Sequence, residues 1–116
     1  MPLQLKLRLS TEDDVPFLKA LWHTEFGWTE ETSECFIEQT FPDSYCIISE
    51  NYKKPRAALC LIPAYYSGKK TFSVYAVATE AKYRGMGIMS RTIETIMQNV
   101  LRKSIQITAF TPPLNV

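Results

Sequence analysis

Lys82-Tyr83-Arg84-Gly85-Met86-Gly87-Ile88-Met89 is the stretch whose residue types could do chemistry. Gly85 and Gly87, one residue apart, let the backbone take positive φ angles and bring successive N–H groups up to a ligand with no Cβ between. Such N–H groups, joined to the unpaired donors at the start of a helix, suit an anion, above all a phosphate. Arg84 adds a permanent positive charge beside them. Arg-Gly-x-Gly alone is also an ordinary loop sequence, so the flanking elements must decide.

Those elements are the ones a phosphate cradle needs. Phe72-Ser73-Val74-Tyr75-Ala76-Val77-Ala78-Thr79 is apolar and alternating, and reads as a strand. After the turn, Ile88, Met89, Ile93, Ile96, Met97, Val100 and Leu101 fall at helical spacing. The order is strand, short basic glycine turn, amphipathic helix.

With that order in place, Val77 to Ile88 resembles the cofactor motif of the GNAT superfamily, the acyl-CoA-dependent N-acyltransferases. The family pattern Arg/Gln-x-x-Gly-x-Gly/Ala maps onto Arg84, Gly87 and Met89, and the last small residue is replaced here by methionine. The resemblance implies that backbone amides of Arg84, Gly85, Met86, Gly87, Ile88 and Met89 hold the pyrophosphate of acetyl-CoA. It implies too that Val77, Ala78 and Thr79 pair their backbone with the pantetheine arm.

Upstream, Leu3 to Ser10 alternates apolar with polar and reads as a half-buried strand. Ser10, Thr11, Asp13 and Asp14 supply capping side chains, and Val15, Leu18, Leu21 and Trp22 follow at helical spacing. Pro16 is tolerated near a helix start, which places the regular turns from Asp13 or Asp14 to Thr24 or Glu25. Gly27-Trp28 breaks this helix. Thr29 to Phe41 forms a second, carrying Cys35, Phe36 and Ile37 and ended by Pro42. In the resembled family this helical pair lines the acceptor side, which makes His23, Phe26, Trp28, Glu30, Glu31, Glu34 and Glu38 candidates for substrate contact. The plainer reading takes the aromatics as core and the carboxylates as a solvated helix face.

Ser44–Ser49 and Arg56–Tyr65 read as strands around a turn at Glu50–Pro55. A further turn, Tyr66–Lys70, leads to the strand before the glycines, giving an antiparallel meander. Ser104–Phe110 alternates again and is expected to return parallel to Phe72–Thr79 through a right-handed crossover. The fold class is therefore α/β (α+β): a mixed, mostly antiparallel sheet flanked by helices in the order β-α-α-β-β-β-α-β. In the resembled fold the two parallel strands splay, and pantetheine enters the gap. Family members continue with a helix and closing strands, and nothing in Thr111–Val116 matches them. The expectation is one GNAT-like domain over residues 1–116, lacking the C-terminal helix and strands, with an open apolar edge at 104–110 that would make it a homo-oligomer or leave it a marginally stable monomer.

Composition narrows the class. A chain of 116 residues, 46% hydrophobic, supports one core. A net charge of +1 with no dense Lys/Arg stripe gives no case for nucleic acid. Cys35, Cys46 and Cys60 lack Cys-x-x-Cys spacing and read as reduced, mostly buried thiols; His23 is the one histidine, so no metal is expected. No apolar run reaches membrane-spanning length and no signal-peptide layout opens the chain, so a cytoplasmic protein is expected.

Acyl transfer to an amine needs a deprotonated amine, a polarised thioester and a proton for the departing thiolate. Backbone N–H groups near Val77 to Thr79 could serve the carbonyl. For the base, Glu80, His23, Tyr75 and Glu34 are candidates and none stands out, so the catalytic residues stay unassigned. Three functions remain: an N-acetyltransferase acting on a primary amine of a small molecule or peptide, a non-catalytic acyl-CoA-binding module, and an interaction domain whose turn binds nothing.

Overall fold

In the computed structural model, residues 3–102 and 106–110 are described. The side chains of Tyr66, Lys70 and all residues from 99 onward, and the structure of 103–105 and 111–116, lie outside it. The expectations for Val100, Leu101, Ser104, Ile105 and Thr111–Val116 therefore fall beyond the described part.

The elements follow the expected order: β1 (Leu5–Leu9), α1 (Val15–Phe26), α2 (Glu30–Thr40), β2 (Tyr45–Asn51), β3 (Lys54–Tyr66), β4 (Lys69–Thr79), α3 (Ile88–Arg102) and β5 (Gln106–Phe110). The strands form one sheet in sequence order. β1 to β4 are antiparallel neighbours, and β5 lies parallel to β4.

Two boundaries depart from expectation for local reasons. The strands around Glu50–Pro55 extend into that segment and leave a short loop, Tyr52-Lys53, with φ of 53° and 66°. Positive φ at both loop residues matches the right-handed twist of the strands, but Tyr-Lys carries no sequence signal for it. Ser67 and Gly68 make the equivalent turn between β3 and β4, with φ of 51° and 75°. At the first helix, Glu12–Asp14 form a single 3-10 turn, and the α-helix proper starts at Val15 with Pro16 in its first turn. It runs to Phe26, just past the expected Thr24 or Glu25. There Gly27 takes φ of 71° and donates its N–H to the His23 carbonyl at 2.9 Å, which closes the helix.

The sheet buries both faces. α1 and α2 cover one, where Leu18, Leu21, Trp22, Cys46, Ile48, Ala58, Cys60, Ala76 and Ala78 form the core. α3 covers the other with Ile96, over Leu59, Leu61, Phe72 and Val74, with Ile93 and Met89 packed against them. A hydrogen bond of 2.6 Å between the buried hydroxyls of Ser49 and Thr92 pins α3 to β2. Cys46 and Cys60 are buried, free and opposite one another across β2 and β3. The hydrogen bond between them and burial hold the Cys60 thiol well above its ordinary range. Cys35, expected inside, is exposed because α2 turns Phe36 and Ile37 inward instead.

β4 changes faces partway. Phe72 and Val74 face α3, yet Tyr75, Ala76 and Ala78 all pack on the α1/α2 side. The register against β3 slips between Ala58–Ala78 and Cys60–Tyr75, and Ala76 has φ of 54°. This is a β-bulge: the extra residue lets neighbours 75 and 76 point the same way and reverses the alternation beyond it.

Candidate functional site

The site is built where β4 runs past its partner. β4 and β5 pair from Thr71–Gln106 to Val74–Phe110, and β4 continues along β3 as far as Ala57–Thr79. Among the described residues, the outer edge of β4 from the bulge to Thr79 has no strand beside it. That stretch contains Val77, Ala78 and Thr79. Ala78 is buried toward α1 and α2, and Val77 packs toward α3, so what they offer at the edge is backbone.

Beyond Thr79 the chain is fastened before it turns. The Glu80 N–H donates to the Arg56 carbonyl at 2.8 Å, and Ala81–Tyr83 make a 3-10 turn. The Arg56 side chain donates to the Glu80 carboxylate at 3.0 Å and lies 4.4 Å from the centre of the Tyr83 ring. Gly85 and Gly87 follow with φ of 80° and 82°, and a Cβ added at either would meet nothing within 4 Å. Protein packing therefore leaves both glycines open to an incoming group.

The first backbone hydrogen bond of α3 runs from the Arg91 N–H to the Gly87 carbonyl at 3.0 Å. The N–H groups of Ile88, Met89 and Ser90 precede it, so no helical carbonyl is in place to accept from them. They stand at the positive end of the helix Ile88–Arg102. Thr79, Tyr83, Arg84, Gly85, Gly87, Ile88, Met89 and Ser90 line a cleft of about 420 Å³ here.

Of the residues expected at a cofactor site, Thr79, Arg84, Gly85, Gly87, Ile88 and Met89 thus line one cleft. Val77 and Ala78 lie on the strand edge leading to it, and Met86 projects from the turn, 41% exposed. Met89 lines the cleft while also packing into the α3 core. Sequence reading missed Tyr83 and Ser90. Ser90 carried a signal, being a polar residue in the first helical turn; Tyr83 is placed by Arg56, which is distant in sequence. Arg84 differs from the expectation of a free charge. Its guanidinium forms an ion pair with Glu25 of α1, and its Nε donates to the Thr79 carbonyl at 3.4 Å.

The candidate bases do not converge on a common partner. Glu80 is held by Arg56, and Glu34 by Lys19 at 2.8 Å. His23 Nδ1 lies 3.0 Å from the Trp28 carbonyl, which can only accept, so the ring carries its hydrogen there. Tyr75 stacks on Phe36 with ring centres 5.8 Å apart. Phe26 and Trp28 join the aromatic cluster against Trp22 that ties the two helices to the sheet. Glu30, Glu31, Glu34 and Glu38 lie on the exposed face of α2. Among the described residues, no three His, Cys, Asp or Glu side chains are grouped to hold a metal ion.

The model of the acetyltransferase (GNAT) family matches residues 12–115. The chain belongs to this family. Solved structures agree on the GNAT fold. The ribosomal-protein-alanine N-acetyltransferase of Brucella melitensis biovar Abortus 2308 is 11% identical, with a TM-score of 0.75 over 95% of this chain and 81% of that one. An aminoglycoside acetyltransferase from an uncultured soil metagenomic sample, solved with sisomicin, is 20% identical, with a TM-score of 0.72 over 93% of this chain and 77% of that one. A predicted acetyltransferase of Clostridium acetobutylicum, solved with acetyl-CoA, is 14% identical, with a TM-score of 0.70 over 96% of this chain and 82% of that one. No curated protein sequence matches. GNAT proteins are acyltransferases, and among the described residues of this one no helix is long and apolar enough to cross a membrane.

Proposed function

We propose that this GNAT protein is a cytoplasmic N-acetyltransferase that moves an acetyl group from acetyl-CoA to a primary amine of a small molecule or peptide. The observation that carries the reading is the continuity of two features: a β4 edge that no strand among the described residues pairs with after the bulge, leading directly into a glycine turn and helix N-terminus that expose backbone N–H groups. The residues present fit coenzyme A, because an open glycine turn beside unbonded helix donors suits a pyrophosphate and an open strand edge suits an amide-bearing arm.

When bound, acetyl-CoA supplies the acetyl group as an activated thioester. The amides of Gly85 to Ser90 would hold the phosphates, and the edge from Val77 to Thr79 would pair with the arm. A bulge leaves an extra residue outside the regular ladder, and a backbone N–H it released there would serve the thioester oxygen. The balance is simple: a C–N bond forms, the C–S bond breaks, the amine gives up a proton and the sulfur takes one. No side chain is assigned to either proton transfer: Glu80 and Glu34 are held by cations, and His23 and Tyr75 do not converge on one point. The carboxylates held by cations, Glu80 and Glu34, favour a second reading, a non-catalytic acyl-CoA-binding domain. A second copy pairing along the β5 edge belongs to the proposal as well; no contact with nucleic acid or membrane does.

Calorimetric titration with acetyl-CoA, followed by screening amines for release of free thiol, tests both readings. Saturable binding that Gly87→Val removes, with thiol release on a suitable amine, supports the transferase. Binding without release on any amine leaves the binding-domain reading, and no binding at millimolar ligand overturns both.

A further inference from the structure

We infer that Arg84 acts as a tether, not as a phosphate ligand, and that Glu25 at the end of α1 is the positioning residue that holds the cofactor turn in its binding shape. The inference rests on the acetyl-CoA reading of the cleft and deepens it. Glu25 exposes only 10% of its side chain, while Arg84 exposes 56%. The carboxylate also sits in the last turn of α1, where the helix dipole opposes a negative charge. Arg84 is the cation that offsets both costs. If it swung away to meet a phosphate, it would leave a nearly buried, unfavourably placed carboxylate without its partner. Neutralised by Glu25, Arg84 brings little net charge to an anion, and the backbone donors do the binding.

The turn needs such a tether. Gly85 and Gly87 carry no side chain to pack, and beyond the Gly87 carbonyl that accepts from Arg91 their conformation is held from the flanks. On one flank Arg56 grips Glu80 and Tyr83. On the other, the contact between Arg84 and Glu25 fixes the residue directly before the first positive-φ glycine and ties it to α1.

The test is the sign of the effect of Glu25 variants on acetyl-CoA affinity, measured calorimetrically at several salt concentrations, with melting curves confirming that each variant is folded at the titration temperature. As a tether, Glu25→Ala weakens binding about tenfold, the loss expected for a charge-assisted hydrogen bond. Glu25→Gln, which keeps an acceptor for Arg84, restores most of it. Arg84→Gln weakens binding comparably, and the Glu25→Ala/Arg84→Gln double variant is little worse than either single one. Were Arg84 a phosphate ligand competing with Glu25, both Glu25 variants would bind more tightly and with a steeper salt dependence, which would overturn the inference. A folded Glu25→Ala with parental affinity would overturn it equally. Failure of the parent itself to bind acetyl-CoA is a separate result that overturns the cofactor reading.

Discussion

α1 meets an arginine at each end, and the two meetings serve different purposes. At its start, Asp14 accepts from both terminal nitrogens of Arg8 at 2.6 and 2.8 Å and from the Thr11 N–H at 2.8 Å; Arg8 Nε reaches Glu50 at 2.8 Å. Every group is in place, Asp14 is buried, and the helix dipole favours its charge. At the other end, Glu25 meets one exposed arginine, and the dipole opposes it. The first cluster closes β1 and β2 onto the helix and faces no ligand. The second joins the helix to the glycine turn, at the residue directly before Gly85. Similar chemistry is scaffold where it is fully enclosed, and in the proposed site it supports a segment that would meet the cofactor.

The sharpest way to break this contrast is at the enclosed end. Asp14→Ala should lower unfolding stability by about 3 kcal/mol, as expected when a buried pair and a capping carboxylate go together, with acetyl-CoA affinity of the folded protein unchanged. A change in affinity at constant fold would mean that the two ends are coupled. The same cluster should give a pH signature. Hydrogen bonding from Arg8 holds the Asp14 carboxyl below its ordinary value in the folded state. Its stabilisation is therefore complete above the ordinary carboxylate range and is lost as pH falls through that range toward the depressed folded value. Urea midpoints should stay level from about pH 7 to about pH 5 and drop below about pH 4, less steeply in Asp14→Asn.

At the ligand end the expected pattern reverses. Arg84→Glu sets a second carboxylate against Glu25 and should weaken acetyl-CoA binding by about a hundredfold, with a smaller loss of stability than Asp14→Ala. Gly87→Val should also weaken binding. A β-branched residue is strained in the left-handed region that Gly87 occupies, although no protein atom blocks its Cβ. A smaller effect is expected between sheet and α3. Thr92→Val leaves the buried Ser49 hydroxyl without its partner. Its cost, read from urea midpoints, should be about 2 kcal/mol. The smallest is Lys19→Ala, which removes exposed bridges to Glu30 and Glu34 and should leave the melting temperature unchanged within error.

The elements and their order were legible because each depends on local signals. Alternation in Leu5–Leu9, helical spacing from Ile88, and Gly27 or Pro42 as stops reflect periodicity and backbone limits that a residue carries wherever it lies. The cradle was legible for the same reason: two glycines and a helix start suffice to expose N–H groups, and Gly85 and Gly87 take the positive φ that their spacing suggested. The Tyr52-Lys53 loop was not legible, since strand twist from both sides forces positive φ on residues that do not prefer it.

Tertiary structure decided the remainder, and the reason is that pairing and charge are properties of neighbours. Phe72–Thr79 reads as one alternating strand, and only its register against β3 produces the bulge that turns Ala76 and Ala78 toward α1 and α2. Arg84 reads as a free cation beside a phosphate site, and only the placement of α1 brings Glu25, from far back in the chain, to neutralise it. Glycine spacing and a helix start are local signals for exposed backbone N–H groups, whereas the side chains beside them are set by how the helices pack on the sheet.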